Sequence, residues 1–302
     1  MNVPAPLPVS VVIVNYNAGP LLHDAVASVL GTVAEVVVVD NASHDDSLAP
    51  LRALVAAGTE SSGTRLRVIE AGRNLGFAAA CNMGARDAHQ PFLLFLNPDG
   101  RPAPGAIARL LEVLRTHPRA GMAGGLLQNP DGTEQGGGRR RLPTPGRALA
   151  RALGLTHLSS RVPDFHLHRQ PLPAGPAPVE AISGACMLVR REAMAQVGPW
   201  DEGYFLHCED LDWCLRFQRG GWDILFVPDA PVVHHQGACS RSRPYFVEWH
   251  KHRGMLRFYR KFFRDRYPGP LMLLVAAGVW TRFGAVAARQ ALRDLSGRRA
   301  HG

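Results

Sequence analysis

The sequence predicts an α/β fold: a doubly wound, mostly parallel sheet with helices on both faces, followed by a basic helical tail. Three observations predict it. Short β-branched runs alternate with segments of helical spacing from residue 10 onward. The run at 91–96 is apolar throughout, as a strand covered on both faces must be. Polar Asn and Asp residues gather where the runs end, at the edge where such sheets bind ligands.

Residues 10–14 form the first run and 35–39 the second, with Leu21, Leu22, Val26 and Val29 at helical spacing between them. Such a β-α-β unit favours a right-handed parallel crossover. A helix over 45–57, a strand over 66–70, a helix over 77–88 and a strand over 91–96 continue the alternation. Helix 105–116 and strand 121–127 follow. Residues 128–178, rich in Gly, Pro and Arg (GGGRRRLPTPGR), predict a flexible substrate-covering loop or an insertion. Regular pattern returns over 181–189, then come two helices, the second over 210–219. A strand over 223–227 and an apolar turn end in His234-His235. No internal repeat is visible.

With 302 residues, 46% hydrophobic and 20% charged, the chain has a globular composition. The expected division is 1–240 for the sheet domain and 241–302 for the extension. Charge is uneven: residues 239–302 carry fourteen Lys/Arg and three acids, hence +11 of a net +9, which leaves the body at −2. A basic tail on a near-neutral body suits an anionic partner such as a membrane surface, or a solvated helix face. Cys81, Cys186, Cys208, Cys214 and Cys239 are odd in number and lack CxxC spacing, which argues against a disulfide framework or zinc knuckle and for a reducing compartment. The opening lacks the charged and apolar regions of a signal peptide. Ten apolar residues over 271–280 are expected to be too few to cross a bilayer core of roughly 30 Å. The expected location is the cytoplasm, with the tail resting on the inner face of a membrane.

Asn15, Tyr16 and Asn17 follow the first strand, Asp40 and Asn41 the second, and Asn97 and Asp99 the fourth. Asp40 can accept hydrogen bonds from a nucleotide or cap the next helix. Asp99 can hold a divalent cation that bridges a diphosphate, although Asn-Pro-Asp-Gly also suits a plain β-turn. Five acids interleaved with aromatics occupy residues 200–213. Asp210, Trp213 and Phe217 there fall on one helical face, so a carboxylate beside aromatic surface could serve as base and stack a sugar. Helix-start acids are also favoured by the dipole, which lowers their pKa; burial must compensate if Asp210 is a base. His234 or His235 could ligate metal, or the pair could be structural.

Taken in order, SVVIVNYN (10–17), VVVVDNAS (36–43), GRNLGFAAACNMG (72–84), LLFLNPD (93–99), SGACMLVRREA (183–193), the acidic helix start at 205–216 and VVHHQGACS (232–240) resemble the family 2 glycosyltransferases, and within them the rhamnosyltransferase-like branch. The resemblance spans about 230 residues, more specific than any single motif. It implies a GT-A fold and inverting transfer from a nucleoside-diphosphate sugar, dTDP-L-rhamnose ahead of UDP- or GDP-sugars, to a glycan or lipid-linked hydroxyl. It assigns Asn15, Tyr16, Asn17, Asp40, Asn41, Asn74, Gly76, Asn82 and Asn97 to the donor. Asp99 and His234 fall to Mg²⁺ or Mn²⁺, Asp210 with Glu209 to the proton transfer, and Trp213 and Gly184 to the acceptor side. One departure stands out: Asn97 replaces the first acid of the family's DxD motif, so Asp99 and the diphosphate must hold the cation. A non-catalytic sugar-nucleotide binder of the same fold is the alternative reading. A Rossmann dehydrogenase fails because Asn-Tyr-Asn-Ala-Gly stands where G-x-G-x-x-G belongs. No nucleic-acid reader motif is present, so no nucleic-acid partner is expected.

Overall fold

The computed structural model describes residues 5–57, 63–152, 165, 167–237 and 243–299. Its strands are β1 (Leu7–Asn15), β2 (Val33–Asp40), β3 (Arg65–Glu70), β4 (Phe92–Leu96), β5 (Gly100–Pro102), β6 (Ala120–Gln128), β7 (Arg139–Arg140), β8 (Ala177–Pro178), β9 (Ala181–Ile182), β10 (Cys186–Arg190) and β11 (Asp223–His234). Its helices are α1 (Pro20–Ala27), α2 (Ala49–Ala57), α3 (Phe77–Asp87), α4 (Ala106–Thr116), α5 (Pro145–Ala152), α6 (Arg191–Val197), α7 (Glu209–Arg219), α8 (Pro244–Phe263) and α9 (Gly269–Arg299).

The main sheet has the order β3-β2-β1-β4-β10-β6-β11-β5, with β8 added beside β11. Its N-terminal half, β3-β2-β1-β4, is parallel throughout. The other half is mixed: β10 runs antiparallel to β4 and β6, β11 parallel to β6, and β5 and β8 antiparallel to β11. Side-chain alternation splits β1 between two cores. Val9, Val11 and Ile13 face α1, α2 and α4, and Val12 and Val14 face α3, α6, α7 and α8. Gly84 lets α3 lie directly on the sheet, because a Cβ there would stand 2.5 Å from Val12 Cγ1.

Two expectations change. Residues 128–178 are partly built into the body: β7 pairs with β9, α5 follows, and β8 joins the main sheet; residues 153–164 and 166 lie outside the described residues. The apolar tail segment is longer than ten residues. α9 runs unbroken through Arg282 for 31 residues, and residues 269–295 are long and apolar enough to cross a membrane. A single arginine does not stop a helix, and its long stem lets the charge reach water. Cys81, Cys186, Cys208 and Cys214 are buried free thiols, while Cys239 and the rest of 238–240 fall outside the described residues.

The basic extension joins the body through α8. Phe258, Tyr259, Phe262 and Phe263 lie in the core beneath the sheet, so the aromatics are packing groups and not a lipid-facing surface. Two of the cations beside them are paired as well. Lys261 Nζ lies 2.6 Å from Asp212 and 2.5 Å from Asp201, Arg257 lies 2.8 Å from Asp201, and Arg216 reaches the fully buried Asp212 at 2.7 Å. Burial raises the Asp201 carboxyl, but Lys261, the Gly203 amide and Arg257 outweigh it and hold its pKa near 2. Removing one member of a buried pair strands the other charge. Asp212→Asn is therefore expected to lower unfolding free energy by about 3 kcal/mol in a denaturant titration. Because the folded pKa of Asp201 is depressed, its contribution is present above the unfolded value of 3.8 and is lost as pH falls toward about 2. Asp201→Asn should flatten stability against pH across that window.

Candidate active site

The site stands at the carboxyl ends of β1, β2 and β4, where a sheet buried on both faces first meets water. A cavity of about 470 Å³ opens there, walled by Tyr16, Asn41, Asn74, Gly76, Asn97, Asp99, Arg140, Gly184, Glu209, Asp210 and His234 among others. A larger depression of about 690 Å³ near Arg119 and Trp222 contains none of the strand-end residues.

Asn15 and Asp40 sit beneath this wall. Asn15 is fully buried, and its amide donates to Asp40 at 2.9 Å, Ser43 at 2.9 Å and Ser47 at 2.8 Å. The other Asp40 oxygen accepts from the Ser43 amide at 3.1 Å. Asn17, in a left-handed conformation, accepts from the His44 amide at 2.7 Å. These three shape the β1 and β2 ends and do not line the cavity. Asn41 does, and it also anchors the next loop: it accepts from Leu75 N at 2.8 Å and donates to Asn74 at 3.0 Å. Gly76 closes the loop at φ +84°, where a Cβ would meet Phe205 O at 2.7 Å, so a side chain would be both strained and obstructed.

Asn82 and Trp213 lie elsewhere. Asn82 is buried and clasps the Trp200 backbone, accepting from its amide at 3.0 Å and donating to its carbonyl at 2.9 Å. Trp213 has no exposed surface; its ring lies 4.1 Å from that of Trp200, and its indole N–H donates to Gly198 O at 2.9 Å. The assignment of Asn82 to the donor and Trp213 to the acceptor is therefore corrected: both pack α7 onto the sheet. Aromatic surface at the cavity comes from Tyr16, Phe77, Phe205 and Phe246.

Strand register supplies the cation-binding pair. β11 lies on β5 with His234 opposite Gly100, which sets the imidazole beside Asp99. His234 Nε2 is 3.1 Å from Asp99 Oδ1 and 3.1 Å from Asn97 Nδ2, and Nδ1 is 2.6 Å from Gln135 Oε1. A ring nitrogen and a carboxylate on one wall suit a divalent cation that keeps open positions for phosphate oxygens. Among the described residues no group of three or more His, Cys, Asp or Glu converges, so the protein offers two strong donors.

The acids at the start of α7 line the same cavity. His207 and Cys208 are both left-handed, at φ 68° and 70°, an uncommon backbone that turns the chain into the helix. Asp210 then accepts from the Gly184 amide at 3.3 Å and pairs with Arg140. Arg140 arrives by the pairing of β7 with β9. Glu209 is buried with Oε2 unpartnered; burial and the neighbouring Asp210 push its pKa up to about 8. Lys251 and Arg243 from the extension line the same end. Burial and Lys251 together hold His207 down to about 4, so the ring is neutral. Gln135, Arg140, Arg243, Phe246 and Lys251 carried no motif: two stand in the Gly- and Arg-rich stretch and three in the tail. Only the density of Arg near 139–141 gave any signal.

The family model "Glycosyl transferase family 2" matches residues 10–198, and "Glycosyl transferase family group 2" matches residues 166–261. The chain is 33% identical over 307 aligned positions to an N-acetylglucosaminyl-diphospho-decaprenol L-rhamnosyltransferase of Mycobacterium tuberculosis, covering 93% of this chain and 91% of the relative. Among solved structures, a mannosyltransferase from Pyrobaculum calidifontis in complex with GDP-Man and Mn²⁺ superposes with a TM-score of 0.58 at 18% identity, over 96% of this chain and 83% of that one. GalNAc-T7 with UDP, GalNAc and Mn²⁺ gives 0.56 at 20% identity, over 76% of this chain and 44% of that longer one. These two share the GT-A fold. The extent of the family match and the near full-length relative, together with the strand-end site, show that this chain belongs to glycosyltransferase family 2.

Proposed function

We propose that the chain transfers L-rhamnose, with inversion, from dTDP-L-rhamnose to a hydroxyl of a diphosphate-linked lipid acceptor in cell-surface glycan synthesis. One observation carries this reading: the Asp99–His234 pair and the Glu209–Asp210 pair, distant in sequence, wall one cavity. The rhamnosyl donor and lipid acceptor follow the relative named above, whose printed activity joins those chemistries.

Asp99 and His234 would hold Mg²⁺ or Mn²⁺. The ion, when bound, neutralises charge on the departing nucleoside diphosphate. Tyr16, Asn41, Asn74 and Gly76 surround the donor end. Asp210, oriented by Arg140 and the Gly184 amide, takes the proton from the acceptor hydroxyl as that oxygen attacks the anomeric carbon. A single displacement inverts that carbon. Burial and the neighbouring Asp210 favour the protonated form of Glu209, which leaves Asp210 as the base. Lys251 and Arg243 give the acceptor end the positive charge that a diphosphate needs.

Membrane contact belongs to the same reading, through α9 instead of α8. Leu273, Leu274, Leu292 and Leu295 are 73%, 68%, 66% and 59% exposed, and Trp249 and Trp280 stack at 5.0 Å where α8 meets α9. Exposed leucines beside half-exposed tryptophans and Arg282 suit an interfacial helix.

Asp210→Asn is expected to lower transfer from dTDP-L-rhamnose by at least about 100-fold while a donor thermal shift persists; near-normal turnover would remove Asp210 from its role. Glu209 has a folded pKa above its unfolded value of 4.5. The unfolded chain therefore releases this proton first, and stability falls as pH rises from about 5 to 8. Glu209→Gln should gain thermal stability over the parent at pH 8 and gain little at pH 4.5. Leu273→Glu with Leu274→Glu should reduce co-sedimentation with phosphatidylglycerol vesicles at low salt; unchanged binding would discount α9.

A further inference from the structure

The least expected part of the site is how His234 is held. Its ring has two nitrogens, and only one can face Asp99. Which of them carries the proton decides whether that face offers a lone pair or an N–H. A run of side chains from the surface to the ring settles the question by elimination.

The run starts at Thr133, whose hydroxyl donates to Asp131 at 2.6 Å. With its proton committed, Thr133 Oγ1 can only accept from Asn129, so Asn129 Nδ2 is the donor at 3.0 Å. The Asn129 carbonyl oxygen then faces Gln135 and accepts from its Nε2 at 3.0 Å. The same Nε2 donates to the His234 backbone carbonyl at 3.1 Å. Both acceptors lie on one side of the Gln135 amide, and reversing it would set oxygen against oxygen twice. Gln135 Oε1 is thereby left facing His234 Nδ1 at 2.6 Å, and an oxygen with no hydrogen demands an N–H there. Gln135 is 3% exposed, so water does not substitute. Its backbone is fixed too, by the bond from its amide to Leu127 O at 2.8 Å.

We infer that Gln135 is a positioning residue. Through the Asp131–Thr133–Asn129–Gln135 relay it holds a proton on His234 Nδ1 and aims Nε2 at Asp99. This deepens the proposed function, since it rests on His234 and Asp99 as the cation pair. A hydrogen-bond partner behind a ligating histidine typically changes metal affinity by about 10–100-fold. With only two strong protein donors, this site depends on that partner more than a richer one would.

The test uses the full chain, ¹⁵N-labelled at histidine, with long-range ¹H–¹⁵N correlation to read the ring protonation and Mn²⁺ titration followed by EPR with dTDP present. The parent should show His234 protonated at Nδ1. Gln135→Met, similar in size but unable to accept from Nδ1–H, should give mixed tautomers and at least about 10-fold weaker Mn²⁺ binding. If Gln135→Met does not fold, Asn129→Leu tests the same relay one step outward and should also mix the tautomers. A parent ring protonated at Nε2, or a Gln135→Met ring and Mn²⁺ affinity both unchanged, would overturn the inference. Absence of Mn²⁺ binding in the parent would instead overturn the cation role in the proposed function, with the tautomer still measurable on its own.

Discussion

Strands covered on both faces leave no place for an unpaired carboxylate except at their ends; Glu35, buried within β2, is held by Ser10, Arg67 and the His89 amide. Residues 92–96 and most of β1 and β2 are almost fully buried, and an unpaired charge within them would cost several kcal/mol. Polar chemistry is therefore pushed to one edge, where the parallel register sets Asn15 level with Asp40 and ends β4 at Leu96 opposite Ile13, just before Asn97. The edge is then divided between structure and ligand. Asn15 and Asp40 use their hydrogen bonds on each other and on the Ser43–Ser47 turn, and that internal pairing holds Tyr16 and Asn41 at the cavity wall.

Other parts of the cavity wall are built by long-range pairing. Arg140 reaches Asp210 because β7 pairs with β9, and His234 reaches Asp99 because β11 lies on β5. Neither contact has a local sequence pattern, since both depend on register between segments far apart in the chain. The GT-A sheet, its helices and the acids at 99 and 209–210 were legible because period, strand-end polarity and motif order are local. Antiparallel β10 was not, because a short apolar run carries no sign of direction. Trp213 was misread for a related reason: helical spacing put it on the face of Asp210 without saying that the face turns inward toward Trp200. The Gly- and Arg-rich stretch hid Gln135 and Arg140 because glycine punctuates a built loop as readily as a floppy one.

Charge in the extension was legible as a total but not as a distribution. Part of it is consumed internally, at Asp201 and Asp212, and part lines the cavity. Arg253, Arg260, Arg264 and Arg266 stay exposed, as do Leu273, Leu274, Leu292 and Leu295 of α9. A net count over a segment cannot separate these uses, since pairing across the fold is invisible in composition.

The left-handed pair His207–Cys208 ties the extension to the chemistry. Two such residues in succession cost of order 1–3 kcal/mol each, and the backbone keeps them only where neighbours over-determine the turn. One neighbour is α8: Gly254 lies against His207 O so closely that a Cβ would come within 2.8 Å, and Cys208 Sγ bonds to Lys251 O at 3.7 Å. The C-terminal helix thus works as a clasp on a bent spring. Were α8 to lift from the body, the turn could relax to ordinary backbone and carry Glu209 and Asp210 out of alignment, so the seating of α8 is mechanically coupled to those two acids.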